Sequence, residues 1–326
     1  MNVATFCRQS RVLIVAGKGG VGKTTITAAL AKMASSSGLK VLVVELEGKS
    51  GVPAAFGREG SLDYNETVLD SLSADGAVRA RKITPDDALV EYLSDHGMKR
   101  ISKRLVSSGA LDVVATAIPG IKDILVLGKV KQLERNDPSD LILLDAPATG
   151  HTMTFLSSAK GLLDAARSGP VRTQAADVVE LLSDAKRCQV VLVTLPEEMP
   201  VNEVVETAYQ LEDRIGITLG PVIVNGCLPE APLLDTDPCE AAERAGVEIN
   251  DELAAALGRA AAFRAHRYRL QAEQRERLDR ELPLPQLHAR LLFCPRIGPE
   301  ELGCLETDLA ASIGRLEEGH RKEPRA

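Results

Sequence analysis

The 326-residue chain has no Cys-x-x-Cys pair, and none of its six cysteines has histidine neighbours at zinc-ligand spacing. A zinc finger, a redox pair and an iron–sulfur cluster bridged by paired cysteines are therefore excluded, and reduced structural thiols are expected. No run approaches the roughly 18 uncharged apolar residues of a membrane span, so no integral membrane segment is expected. The stretch from Met1 to Arg11 lacks the apolar core of a signal peptide, which points to the cytoplasm. Nor is there a basic surplus: 39 Lys+Arg stand against 46 Asp+Glu, a net charge of −7. Such a chain has no net field for nucleic-acid phosphates or anionic lipid, and nucleic acid is not an expected partner.

With 44% hydrophobic and 26% charged residues, the composition is that of an ordinary globular protein. Val12 to Ala16 is a short β-branched run ending at a glycine cluster, the pattern of a buried parallel strand. From Thr24 apolar residues recur at helical spacing until Gly38. Further strands read at Lys40 to Val44, Asp140 to Leu144, Gln189 to Thr194 and Gly220 to Val224, with one more inside Leu287 to Phe293. Strands alternating with helices predict an α/β fold with a mostly parallel sheet flanked by helices. About a hundred residues separate the strands at 40 and 140, more than a crossover helix needs. Thr84-Pro85-Asp86-Asp87 reads as a helix start, with helical patterns at about 86–96, 98–107 and 119–134. The expected organisation is one domain over 1–326, its core at about 11–60, 138–155 and 187–316, with a helical subdomain from about 61–137 and 151–186. In the segment from Asn250 to Glu281 the seven arginines after position 258 are interleaved with Glu273, Glu276, Asp279 and Glu281, the pattern of a solvated, ion-paired helix face.

Gly17-Lys18-Gly19-Gly20-Val21-Gly22-Lys23-Thr24 matches the phosphate-binding pattern G-x-x-x-x-G-K-[ST], placed between a strand and a helix as its mechanism requires. Glycines let successive backbone N–H groups turn toward a triphosphate, and the following helix adds its positive end. Lys23 is expected on the β- and γ-phosphates of ATP and the Thr24 hydroxyl on Mg2+. Lys18 makes the loop a deviant form. It has no evident partner within one subunit, so its chemical sense is as a cation delivered to the phosphates of a facing protomer. Asp145, at the end of a buried strand opposite this loop, is a candidate to support Mg2+ through water, whereas His151 reads as a helix-start or packing residue.

The deviant loop together with Asp145-Ala-Pro-Ala-Thr-Gly-His-Thr-Met-Thr-Phe-Leu156 closely resembles the ArsA-type anion-transporting ATPases, a family that includes arsenite-pump ATPases and the tail-anchored-protein targeting factor. Leu195-Pro-Glu-Glu-Met-Pro-Val201, Ile223-Val-Asn225 and Ile118-Pro-Gly-Ile121 are similar to further segments of that family, and the likeness runs over most of residues 11 to 310. The resemblance implies a dimeric ATPase in which Gly19, Gly20, Val21, Gly22, Lys23, Thr24 and Thr25 hold phosphate and magnesium. It implies that Lys18 reaches across a nucleotide-sandwich dimer and that Gly150 reports loss of the γ-phosphate. Asn225 would contact adenine, although an asparagine there would also serve as a helix cap. Pro295, Arg296 and Ile297 would close over the base.

Three features depart from the family pattern. Glu47 stands where relatives carry the aspartate that orients the attacking water, and its extra methylene displaces the carboxylate by about an ångström, enough to cost on the order of a hundredfold in rate. Hydrolysis is then slow, or a paralogous partner subunit supplies an orthodox group; homodimer and heterodimer both remain open. No cysteine lies between Cys7 and Cys188, against an arsenite-pump role. Residues 60 to 187 contain only Met98 and Met153, few for an adaptable groove, and the run Ile121, Ile124, Leu125, Leu127 reads as core packing in preference to a client face. The expected function is an ATP-driven switch controlling a protein client. A ParA/MinD-like positioning ATPase and a non-catalytic nucleotide-dependent binding module are the alternatives.

Overall fold

The computed structural model describes residues 1–46, 51–70, 76–95, 120–147, 149–231 and 234–320. In chain order the elements are α1 (Val3–Cys7), β1 (Val12–Gly17), α2 (Lys23–Ser36), β2 (Lys40–Leu46), α3 (Val52–Ala55), β3 (Thr67–Asp70), β4 (Ala77–Ile83), α4 (Pro85–Asp95) and α5 (Ile121–Asn136). There follow β5 (Leu141–Asp145), α6 (Thr149–Ala165), α7 (Pro170–Ser183), β6 (Cys188–Thr194), α8 (Glu198–Gln210), β7 (Val222–Cys227), α9 (Pro238–Ala245), α10 (Asp251–Glu281), β8 (Gln286–Arg290) and α11 (Pro299–His320). A π-helical turn, Leu211–Ile215, extends α8.

The strands form one sheet in the order β3-β4-β2-β5-β1-β6-β7-β8, parallel throughout except for the antiparallel β3–β4 pair. Side chains alternate between its faces. Val12, Ile14 and Ala16 join Leu42, Val44, Ile142 and Leu144 under α5, α6, α7 and α8, while Leu13 and Val15 join Val41, Val43, Leu141 and Leu143 under α1, α2 and α11. With both faces covered, β1, β5 and β6 are buried along their length apart from Gln189, which is why they read as continuous apolar runs. The expected α/β architecture is thus present. Thr84 starts α4 as read, its hydroxyl accepting from the Asp87 N–H at 3.1 Å. Ile121, Ile124, Leu125 and Leu127 are all buried, the core-packing role assigned to them.

Two elements differ from expectation. Within the stretch expected to be helical from about residue 61, β3 and β4 instead extend the sheet beyond β2. The helical pattern at 98–107 lies outside the described residues. Parallel pairing brings the carboxyl ends of β1, β2, β5, β6 and β7 to one edge, where α/β sheets bind ligands.

Candidate functional site

The loop from Gly17 to Thr24 leaves the central strand β1 and enters α2 at that edge. Gly17 abuts β6 so closely that a Cβ would run into the carbonyl oxygen of Val193. Gly22 has φ +88, left-handed backbone that disfavours any side chain, and a Cβ there would strike Asn225. The N-cap of α2 is this glycine, with no side-chain cap, and its first turn holds no acidic residue. The positive end of a 14-residue helix is therefore not satisfied by a carboxylate of its own, which suits an anion.

Around this turn the side chains are tied down. Lys23 is buried, and its ammonium donates to the Lys18 carbonyl at 2.8 Å. The Thr24 hydroxyl donates to Oδ2 of the fully buried Asp145 at 2.7 Å. Asn225, near the end of β7, donates from Nδ2 to the Val21 carbonyl at 2.9 Å, so it clamps the loop and caps no helix. A hydroxyl and a carboxylate in contact form an all-oxygen donor pair of the kind a hard divalent cation takes, and the residues present fit Mg2+ beside a phosphate cradle. Lys18, Lys23, Thr24, Asp145 and Asn225 are thereby gathered. Gly19 and Gly20 are exposed, Val21 is buried and Thr25 half-buried. Pro295 and Arg296 stand exposed on the loop after β8, and Ile297 packs against the core beneath α2. Glu47 lies outside the described residues.

Two acidic residues were given no role by sequence reasoning. Lys18 does have a partner in its own subunit, contrary to expectation: its ammonium lies 2.5 Å from Oε1 of Glu203 on α8. Lys18 and Glu203 line an open cleft of about 340 Å³ with Gly19, Gly150, Met153 and Glu206. Separated by 185 positions, the pair leaves no trace in spacing. Glu45, the other, is fully buried, sits in register with Asp145 and accepts the Val52 N–H at 2.9 Å. A glutamate inside an apolar strand was the signal available for it. His151 is exposed in the first turn of α6. Among the thiols, Cys7, Cys188 and Cys227 are buried, and burial pushes Cys7 up to about 12 and Cys227 to about 11.

A phosphate loop on the central strand of a parallel, helix-covered sheet, with a threonine–aspartate pair behind it, defines a P-loop nucleoside-triphosphatase fold. Within that class the chain belongs to the family described as Anion-transporting ATPase, the ArsA type, which matches residues 10–165 and 170–255. ATPase BagA of Mycobacterium tuberculosis is 36% identical over 297 residues, covering 85% of this chain and 86% of that protein. An arsenical pump-driving ATPase of Escherichia coli is 30% identical over 243 residues, which is 67% of this chain and 39% of the pump protein. ATPase get3 of Schizosaccharomyces pombe is 30% identical over 146 residues, 44% of this chain and 42% of that protein. No described helix is long and apolar enough to cross a membrane.

Proposed function

We propose that the chain binds Mg–ATP at the Gly17–Thr24 loop, hydrolyses it against a facing subunit, and uses the nucleotide state to control association with a protein client. The observation that carries this reading is the hydrogen bond from half-buried Thr24 to fully buried Asp145, behind an acid-free helix N-terminus. Thr24 and Asp145 hold the metal, Asp145 through water; bound Mg2+ supplies charge neutralisation on the phosphates. Lys23 leaves the Lys18 carbonyl for the β- and γ-phosphates. Gly19, Gly20, Val21, Gly22 and Thr25 offer backbone and hydroxyl donors to the phosphates. Lys18 leaves Glu203 to reach the facing subunit's phosphates, and Glu47 aligns water. Asn225, with Pro295 and Arg296 on the neighbouring loop, borders the base. Three of the six thiols, Cys7, Cys188 and Cys227, are buried and pushed up by burial, which disfavours the thiolates a thiophilic metalloid needs and supports a cargo of another kind.

The test is to measure ATP affinity, turnover and mass of the purified chain together with Lys23→Ala and Lys18→Ala. The expected pattern is loss of binding for Lys23→Ala. For Lys18→Ala, turnover falls on the order of a thousandfold with binding retained, as for loss of a cation acting in trans. ATP binding without turnover or dimerisation in the purified chain would refute self-sufficient catalysis and move the search to a paralogous partner subunit.

A further inference from the structure

Helices α4, α5 and α7 border a cavity of about 320 Å³ that shares no residue with the Lys18 cleft. Its wall runs down α5 from Leu125 to Asn136, about 16 Å at ~1.5 Å per residue, and α5 ends just before the start of β5. The cavity thus extends toward the amino ends of the strands, away from the phosphate loop. Its volume is that of a site for a small metabolite.

The charge of the lining is one-sided. Lys129, Lys131 and Arg135 line the cavity and no carboxylate does, in a chain whose net charge is −7. The two lysines are only 8 and 7% exposed. A buried ammonium is costly unless paired, and each has an acid behind it. Lys129 Nζ lies 2.6 Å from Oε1 of Glu91, and Lys131 pairs with Asp177. Neither acid lines the cavity, so the lysines present their remaining N–H groups to a space without acceptors of opposite charge. Lys129 gives one of these to Gln132 Oε1 at 3.0 Å. Arg135 makes no ion pair or side-chain hydrogen bond among the described residues, and the amides of Asn136 and Gln174 are uncommitted in the same way. The Gln174 amide rests on the bare backbone of Gly128, where a Cβ would come 1.6 Å from Nε2. Ala88, Leu125 and the Tyr92 ring complete the wall with apolar surface.

We infer that this cavity is a binding site for a small phosphate monoester with a hydroxylated carbon body. Such an ester carries close to two negative charges at neutral pH and three terminal oxygens that only accept, which suits a lining where charged donors predominate. A carboxylate, with two oxygens and one charge, would leave more of these donors unmatched. The uncommitted amides donate and accept, as hydroxyl groups require, and the Tyr92–Leu125 wall takes the carbon body. A ligand so held touches three helices at once and ties α4 and α7 to α5. This site stands apart from the phosphate loop and does not depend on what that loop does.

The test is calorimetry on the full chain with glycerol 3-phosphate and glucose 6-phosphate as probes, beside inorganic phosphate, glycerol and glucose. At least one ester is expected to bind at one site per chain, about tenfold or more tighter than inorganic phosphate, with no signal from glycerol or glucose. Lys23→Ala, which removes the lysine of the phosphate loop, is expected to bind the ester as the wild type does. Arg135→Glu is expected to weaken binding at least about tenfold, and Gly128→Ala, whose methyl displaces the Gln174 amide, several-fold. Arg135 is exposed, so an unchanged thermal transition without ligand separates lost binding from misfolding. The methyl resonances of Ala88 and Leu125 locate the ester: they shift in the wild type and stay in place in Arg135→Glu. Failure of both esters to bind overturns the site. Binding that is lost in Lys23→Ala and kept in Arg135→Glu puts the ester on the phosphate loop and overturns it as well. Inorganic phosphate binding as tightly as the esters overturns the ester assignment and the role given to the Tyr92–Leu125 wall.

Discussion

Replacing Glu203 by glutamine removes the charge that holds Lys18 within its own subunit while keeping the side chain's shape. The two side chains are 40% and 33% exposed, so their 2.5 Å contact is a surface-type ion pair worth roughly 0.5–1 kcal/mol. Release of Lys18 enters the rate as a population factor, and that energy corresponds to about a two- to fivefold rise in Lys18-dependent turnover. The assay is steady-state ATP hydrolysis at saturating Mg–ATP for the wild type, Glu203→Gln, Lys18→Ala and the double variant. Glu203→Gln is expected to be faster than wild type, and the gain is expected to vanish when Lys18 is absent. Raising the ionic strength weakens the exposed pair in the wild type, so the difference narrows in salt. A rate that falls, or a gain that survives in the Lys18→Ala background, would show that Glu203 acts on something other than Lys18. Amine-selective labelling of the nucleotide-free protein reads the pair without catalysis, and Lys18 should label faster in Glu203→Gln.

Asp145→Asn keeps the volume of a fully buried side chain but loses the charge beside Thr24, and turnover is expected to fall about a hundredfold or more with a smaller change in ATP affinity, read by calorimetry beside kinetics. Asn225→Ala deletes the clamp on the Val21 carbonyl and should cost about 1 kcal/mol, visible as a lowered Tm and weaker ATP binding; an unchanged affinity would mean the loop holds its shape alone. Gly22→Ala places a methyl on left-handed backbone against Asn225 and should cost about 1–3 kcal/mol, only part of it recovered in the Asn225→Ala background because the backbone strain remains. His288 on β8 is lowered to about 4, by burial first and then by Arg275 and Arg315. Its neutral form is therefore the folded one, and its contribution is present above the unfolded value near 6.5 and lost as pH falls from there toward 4. Denaturant titrations across that window should show a slope of at most about 1.4 kcal/mol per pH unit from this group, diminished in His288→Gln.

The candidate site was legible where chemistry fixes spacing. A phosphate loop needs its glycines, lysine and threonine at set intervals next to a strand, and Asp145 closes a run of apolar residues that has only one place in such a sheet. Strands β3 and β4 were not legible. Val78, Ala80 and Ile83 are buried, but Arg79, Arg81 and Lys82 lie among them and give the segment a polar look. Their charges are met from a distance along the chain: Arg79 lies 2.7 Å from Asp137, and Arg81 stacks 4.4 Å over the Tyr64 ring. Pairing of that kind is decided by tertiary structure, so local pattern cannot register it. The Lys18–Glu203 contact escaped for the same reason.

Sequence reasoning placed a departure from the family pattern at Glu47, and the described residues on either side of the segment 47–50 border the phosphate loop. The segment 47–50 joins Leu46, at the end of β2, to Gly51, where a Cβ would approach Thr24 Cγ2 to 2.7 Å. Just beyond, the Val52 N–H is held by Glu45. Leu46 and Gly51 are thus both held beside the phosphate loop, one by the sheet and the other by the threonine and a buried carboxylate. Glu45 and Asp145 are neighbours in register, so the Val52 N–H and the Thr24 hydroxyl are held by adjacent buried carboxylates. A change at the Thr24 side chain therefore lies one contact from Gly51, and the pair Glu45 and Asp145 joins the end of β2 to the phosphate loop through the sheet itself.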